Sequence, residues 1–210
     1  ILANDISTGK VIEVPEDASD INWMNLNPDT YKTDLNRFVD EYLEEGKDID
    51  DLQVISPMKK GTCGVNQTNA ILQERMAETN GTMDRFIQRG FNRFFVGDRI
   101  IQTENNYEKE VFNGDMGIII DVGERAKDIK VSDQQEKFVT VAYYDKELTY
   151  YGESIDEIML AWAITVHKFQ GSQSKEILLI LASEAQIMMT KELVYTAFTR
   201  AEKMLHVMGH

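Results

Sequence analysis

The sequence predicts an α/β protein, a parallel sheet flanked by helices and interrupted by a small β-rich insert. Three observations carry this. In the first part of the chain, helical apolar spacing stands on both sides of a short buried-strand pattern. From about Phe95 to Tyr151 the apolar period becomes alternating. From Leu160 onward strand and helix patterns again follow one another.

Between Asp29 and Glu45, Leu35, Phe38, Val39, Tyr42 and Leu43 fall on one helical face, and Gly46 supplies the stop. Leu52 to Pro57 reads as a short buried strand closed by proline. A loop follows from Met58 to Gly64, and Val65, Ile71, Leu72 and Met76 then set a helix. In the insert the strand candidates are Arg99 to Gln102, Met116 to Asp121, Phe138 to Tyr144 and Leu148 to Tyr151, with Asn113-Gly114 as a turn. Gly123 to Lys137, charged and apolar-poor, reads as a mobile hairpin loop. The sheet pattern resumes with Ala161 to Val166, a polar turn, a strand over Ile177 to Leu181, a helix from Thr190 to about Glu202 and a last strand from Met204 to Met208. The segment Ile1 to Met24 carries no pattern.

The 210 residues, 42% of them hydrophobic, suffice to bury a core in one or two domains. A net charge of -14 argues against a protein that coats nucleic acid by bulk attraction, so any nucleic-acid site must be local. A single cysteine, Cys63, excludes an internal disulfide framework and points to a reducing, cytoplasmic setting. His167, His206 and His210 form no Cys/His cluster at zinc spacing, so no metal site is expected within the chain. The apolar runs are far shorter than the roughly 20 residues that cross a bilayer, and no membrane span is expected. The start, Ile1-Leu2-Ala3-Asn4-Asp5, lacks an initiator methionine and signal-peptide features, which reads as a piece of a longer polypeptide.

Two stretches carry chemistry. In Ala163-Ile164-Thr165-Val166-His167-Lys168-Phe169-Gln170-Gly171-Ser172 a β-rich run meets a polar turn. Thr165, His167, Lys168, Gln170 and Ser172 offer hydroxyl, imidazole, ammonium and amide groups, and Gly171 lets backbone N–H groups approach a phosphate. Composition alone leaves this open between a nucleotide or strand-binding turn and an ordinary solvated loop. In Leu193 to Ala201, a helical pattern sets Thr196 and Arg200 at i, i+4. A fixed arginine there suits the charge of a transferring phosphoryl group, and equally suits a surface ion pair.

Four segments, in this order, resemble the RecD/TraA-type superfamily-one DNA helicases. They are Val54 to Gly61, Gly97 to Tyr107 with Val111 to Gly117, Ala163 to Ser172 and Tyr195 to Ala201. The resemblance covers about Leu52 to His210 and is similar to the α subunit of exodeoxyribonuclease V. It implies a RecA-like, P-loop NTPase-type parallel-sheet domain over residues 1–94 and 152–210, with an SH3-like β-barrel inserted at 95–151. In this family ATP and magnesium lie between two RecA-like domains, the first bringing the phosphate-loop lysine and the magnesium carboxylate. The string G-x-x-x-x-G-K-[ST] does not occur here, so the chain resembles the second, C-terminal motor domain, inactive in ATP hydrolysis by itself.

Carried across, Arg200 matches the arginine finger, Gln170 and Gly171 the turn that reads nucleotide state, and Thr165 and His167 the DNA track. Lys59, Lys60 and Gly61 match a loop on the DNA backbone, with Lys60 the preferred contact. Gln102, Asn105 and Asn106 match a motif entering the barrel, where amides hydrogen-bonding the local backbone are an equal alternative. Phe169 departs from the small residue of many relatives and is expected in the core. The partners implied are single-stranded DNA, the N-terminal RecA-like domain of the parent chain and nuclease or helicase subunits, and the implied polarity is 5′ to 3′. The rival expectations are a non-catalytic nucleic-acid or protein binding module and a purely structural α/β domain. The structural rival would scatter Thr165, His167 and Arg200 instead of lining one cleft with them.

Overall fold

A computed structural model describes residues 19–126, 135–185 and 191–209. The expected positions of His210 and Thr190 lie outside these residues. Contacts divide the chain into two units, one comprising the described residues up to Ile71 and from Ala163 onward, the other Leu72–Trp162. The expected insert, 95–151, falls inside the second.

The first unit is a five-stranded parallel sheet. Its strands are β1 (Ile21–Asn25), β2 (Leu52–Ser56), β10 (Ala163–Thr165), β11 (Ser174–Leu181) and β12 (Ala201–Gly209), in the order β1-β12-β11-β2-β10. Every residue of β2 is buried, and Ile177, Leu178, Leu179 and Ile180 of β11 are fully so. Such continuous burial marks strands covered on both faces, and each aliphatic side chain there is worth about 1.5–3 kcal/mol of burial. Helix α1 (Tyr31–Glu44) lays Tyr31, Leu35, Phe38, Val39 and Tyr42 inward, and Gly46 ends the run at φ +76° with its N–H on the Leu43 carbonyl. The Phe38 ring meets His206 of β12 edge-on at 5.0 Å. Helix α2 (Val65–Thr79) follows β2, and α3 (Lys191–Phe198) precedes β12.

The second unit is antiparallel. A hairpin of β3 (Phe86–Arg89) and β4 (Asn92–Phe95) turns at Gly90, φ +59°. A five-stranded sheet of β5 (Arg99–Gln102), β6 (Met116–Ala126), β7 (Gln135–Ala142), β8 (Glu147–Tyr151) and β9 (Ile158–Leu160) has the order β8-β7-β6-β5-β9. A 3-10 turn, Gly152–Glu157, joins its two edge strands. A bulge between Ile119 and Asp121 bends β6, and the core gathers Ile87, Phe94, Ile100, Ile119, Val139, Val141, Tyr150, Ile155 and Ile158.

Several expectations are corrected. The stretch Gly123 to Lys137 is not a loop throughout: β6 and β7 stay paired out to Ala126 and Gln135, and only 127–134 lie outside the described residues. Charged side chains mark these arms as solvated, while Gly123 fits under the Phe138 ring, which stands 2.9 Å from where a Cβ would be. The last strand starts at Ala201, three residues earlier than expected, because the helix ends at Phe198. The hairpin β3–β4, the short strand β9 and the edge strand β1 are additions to the predicted elements.

Candidate functional site

Two edges of the parallel sheet hold the candidate residues. At its carboxyl edge β2 runs into the loop 57–64, which folds back on the start of α2. Val65 and Asn66 donate their N–H groups to the Met58 and Lys59 carbonyls, and Ser56 Oγ donates to the Cys63 carbonyl at 3.2 Å. Lys59 and Lys60 stand exposed on this loop. Gly61 turns at φ +97°, with a Cβ there 3.2 Å from a Glu184 carboxylate oxygen. The neighbouring strand β10 ends level with β2, Thr165 opposite Ser56. The Thr165 hydroxyl accepts the Lys168 N–H at 3.3 Å, and the Phe169 N–H reaches the Thr165 and Val166 carbonyls. Phe169 is buried, as expected, while His167 and Lys168 are exposed on the turn. Four basic side chains thus stand at the ends of strands about 5 Å apart.

Strand β10 is the sheet's edge, and its open side is closed by a side chain. Asn69 of α2 donates to the Ala163 carbonyl and accepts the Ala163 N–H, both at 2.8 Å. A carboxamide here replaces one rung of a missing strand.

The amino edge holds Arg200. It lies just past the end of α3, not within a helix as the i, i+4 reading required. Its N–H donates to the Ala197 carbonyl and its carbonyl accepts the Ser174 N–H at 3.1 Å. Ser174 pairs in register with Ala201, and its hydroxyl donates to the Asp51 carbonyl. Gly171, at φ +89°, comes three residues before Ser174, a span of at most about 11 Å. The Arg200 side chain is half-buried, and its Nε is buried with no hydrogen-bond partner among the described residues. An unpaired buried donor costs about 1–3 kcal/mol, which an anion placed there would recover.

The structure therefore brings Lys59, Lys60, Gly61, Thr165 and His167 to one edge and Arg200 to the other, with Gln170 and Gly171 between. Ile164 is level with Ile55, Leu179 and Val207, and Val207 lies six residues beyond Ala201, roughly 20 Å along the strand. The expectation that Thr165, His167 and Arg200 line one cleft is corrected, and on this point the arrangement is the one the structural rival predicts. Because β10 and β11 are parallel, the turn joining them must travel back across the sheet, and it is this turn that carries Gln170 and Gly171.

Asn105 belongs to the second unit, where it accepts the Asn113 N–H at 2.9 Å. Its neighbours also bond locally. Gln102 is fully buried, accepting from the Tyr150 hydroxyl at 2.9 Å and donating to Glu157, to which Asn106 donates as well. Asp98 is a polar residue that hydrophobic periodicity does not reveal. Its buried carboxylate accepts from Gln73 Nε2, the Phe95 N–H and Trp162 Nε1, yet burial outweighs these donors and pushes it up to about 6. Among the described residues no group of three or more His, Cys, Asp or Glu is disposed to hold a metal ion, and no helix is long and apolar enough to cross a membrane.

A parallel α/β sheet, interrupted in sequence by a small antiparallel unit and carrying basic groups at one edge and an arginine at the other, is the arrangement of a RecA-like parallel-sheet fold. The family described as the ATP-dependent RecD-like DNA helicase SH3 domain matches residues 68–143, and the UvrD-like helicase C-terminal domain matches 160–208. The chain belongs with the RecD-type helicases. It is 33% identical over 150 residues to the ATP-dependent RecD2 DNA helicase of Deinococcus radiodurans, covering 71% of this chain and 19% of that protein. It is 32% identical over 158 residues to the RecBCD enzyme subunit RecD of Buchnera aphidicola subsp. Schizaphis graminum, covering 74% of this chain and 24% of that one. The chain thus spans about a quarter or less of these relatives. A crystal structure of a Pif1 helicase from Bacteroides with ADP-AlF3 and ssDNA aligns with 99% of this chain and 47% of its own at TM-score 0.47 and 17% identity, too loose a likeness to place any residue.

Proposed function

We propose that the chain is the C-terminal motor domain of an ATP-dependent 5′-to-3′ DNA helicase. In this reading the sheet's amino edge faces the nucleotide and its carboxyl edge faces single-stranded DNA. The observation that carries it is Arg200: its backbone is fixed between α3 and β11, beside the Gly171 turn, while its Nε stays buried and unpaired.

Arg200, Gln170 and Gly171 would hold the triphosphate, and ligands for magnesium would come from the N-terminal RecA-like domain of the parent. Hydrolysis of the bound nucleotide supplies the free energy for stepping. Arg200 would place positive charge against the γ-phosphate, and the half-burial of its side chain makes that charge felt more strongly than in water. A shift of the Gly171 end of the turn is passed to Thr165 and His167, because the buried Phe169 anchors the middle of the same short segment. Lys59, Lys60 and the Gly61 backbone would grip phosphates beside them, and Asn105 would contribute from the second unit. The parent would act in the cytoplasm, with nuclease or helicase subunits of the kind implied by the name of the Buchnera relative.

The test is Arg200→Ala in the full-length parent. Hydrolysis should fall by about 10³-fold or more while nucleotide affinity changes little. An unchanged rate removes the finger and leaves the non-catalytic binding module as the better account.

A further inference from the structure

The loop that carries Lys59 and Lys60 is tied to the two helices of its unit by a buried chain of hydroxyls. Thr68 Oγ1, fully buried on α2, donates to the Gly64 carbonyl at 2.9 Å, and the same carbonyl accepts the Thr68 N–H at 2.9 Å. A hydroxyl has one proton to give, so Tyr31, whose oxygen lies 2.7 Å from Thr68 Oγ1, is the donor of that second bond. Tyr31 opens α1 and is 1% exposed, and burial raises its pKa, which keeps the phenol a donor. The chain of bonds therefore runs one way, from α1 through α2 to the loop.

Gly64 is where this chain meets Lys60. A Cβ at Gly64 would overlap the Lys60 carbonyl, standing 2.6 Å from its carbon and 3.0 Å from the Lys60 nitrogen. These are backbone atoms, so no flexible side chain can give way, and only glycine allows the two peptides to lie against each other. On either side of Lys60 the loop is tied as well: the Lys59 carbonyl accepts the Asn66 N–H at 3.1 Å, and the Gly61 carbonyl accepts the Gly64 N–H at 3.2 Å. The Lys60 side chain is exposed, and its ammonium pairs with no carboxylate among the described residues.

We propose that Tyr31, Thr68 and Gly64 are positioning residues for Lys60, the hydroxyl chain fixing the Gly64 peptide and the bare glycine fixing the Lys60 peptide, so that α1 sets where the loop's charge meets a DNA phosphate. The inference rests on the reading of Lys60 as a DNA contact. A lysine whose main chain is already fixed loses less freedom when it takes a phosphate, and displacing that main chain removes the contact without removing the charge.

The experiment follows the affinity of the full-length parent for oligothymidylate as salt is raised. One phosphate contact on a single strand contributes about 0.7 to the slope of log affinity against log salt, so Lys60→Ala should lower the slope by that amount. Gly64→Ala and Thr68→Val should lower it likewise although both keep the lysine, while Thr68→Ser, which retains the hydroxyl, should keep the wild-type slope. Added to Lys60→Ala, neither Gly64→Ala nor Thr68→Val should weaken binding further. Thr68→Val carries the comparison if Gly64→Ala does not fold. A fold that is merely looser would weaken binding at the wild-type slope and add to Lys60→Ala, and either result overturns the proposal. A loss in Thr68→Ser as large as in Thr68→Val overturns it too, because the hydroxyl would then play no part. An unchanged slope in Lys60→Ala removes the DNA reading of the loop and this inference with it, whereas a shallower slope there beside a wild-type slope in Thr68→Val overturns the positioning alone.

Discussion

Asp98 and Asn69 are polar side chains buried for the hydrogen bonds they make. Asp98 binds three donors, from α2, β4 and Trp162. Its raised pKa has a sign. Relative to the ordinary aspartate value of 3.8, a folded value of about 6 means that the folded protein holds the proton longer than the unfolded chain. This group's contribution is therefore fully present below about pH 4 and lost as pH rises through 6, by roughly 3 kcal/mol at most. The stabilities of wild type and Asp98→Asn, followed by denaturation across that window, should diverge by up to this amount. Parallel slopes would show that the three donors hold the carboxylate charged.

At the scale of elements, legibility followed locality. Helix α1 is readable because Leu35, Phe38, Val39 and Tyr42 form one stripe, and β2 because Leu52, Val54 and Ile55 lie just before Pro57. Strand β1 is not, since an edge strand with one partner alternates weakly and shows no apolar run. The paired arms of β6 and β7 read as a loop in the sequence because their charges hide the alternation that Phe138 and Val139 continue. Among the functional elements β10 is the most exposed to failure, being three residues long at the sheet's edge. Asn69→Ala strips two buried backbone groups of Ala163 of their partner and should destabilise the protein by about 2–4 kcal/mol, read as a lower midpoint in urea. A loss below 0.5 kcal/mol would mean that Ala163 finds other partners.

For the whole molecule, the motifs were legible as strings while their arrangement was not. Sheet order is non-local, so nothing in Thr165 to Gly171 or Tyr195 to Ala201 announces that one straddles the sheet and the other ends at its far edge. The two edges are joined by a single turn. Purified by itself, the 210-residue chain should hydrolyse no ATP above background, with or without single-stranded DNA; turnover that copurifies with the chain and disappears in Arg200→Ala would mean that it holds a complete nucleotide site. The most direct test of the two-edged reading is the affinity of the full-length parent for oligothymidylate, with and without a non-hydrolysable ATP analogue. Arg200→Ala should leave the nucleotide-free affinity unchanged and abolish the response to the analogue, while Lys60→Ala should weaken both states alike and keep the response. Loss of nucleotide-free binding in Arg200→Ala, with the response intact, would contradict it.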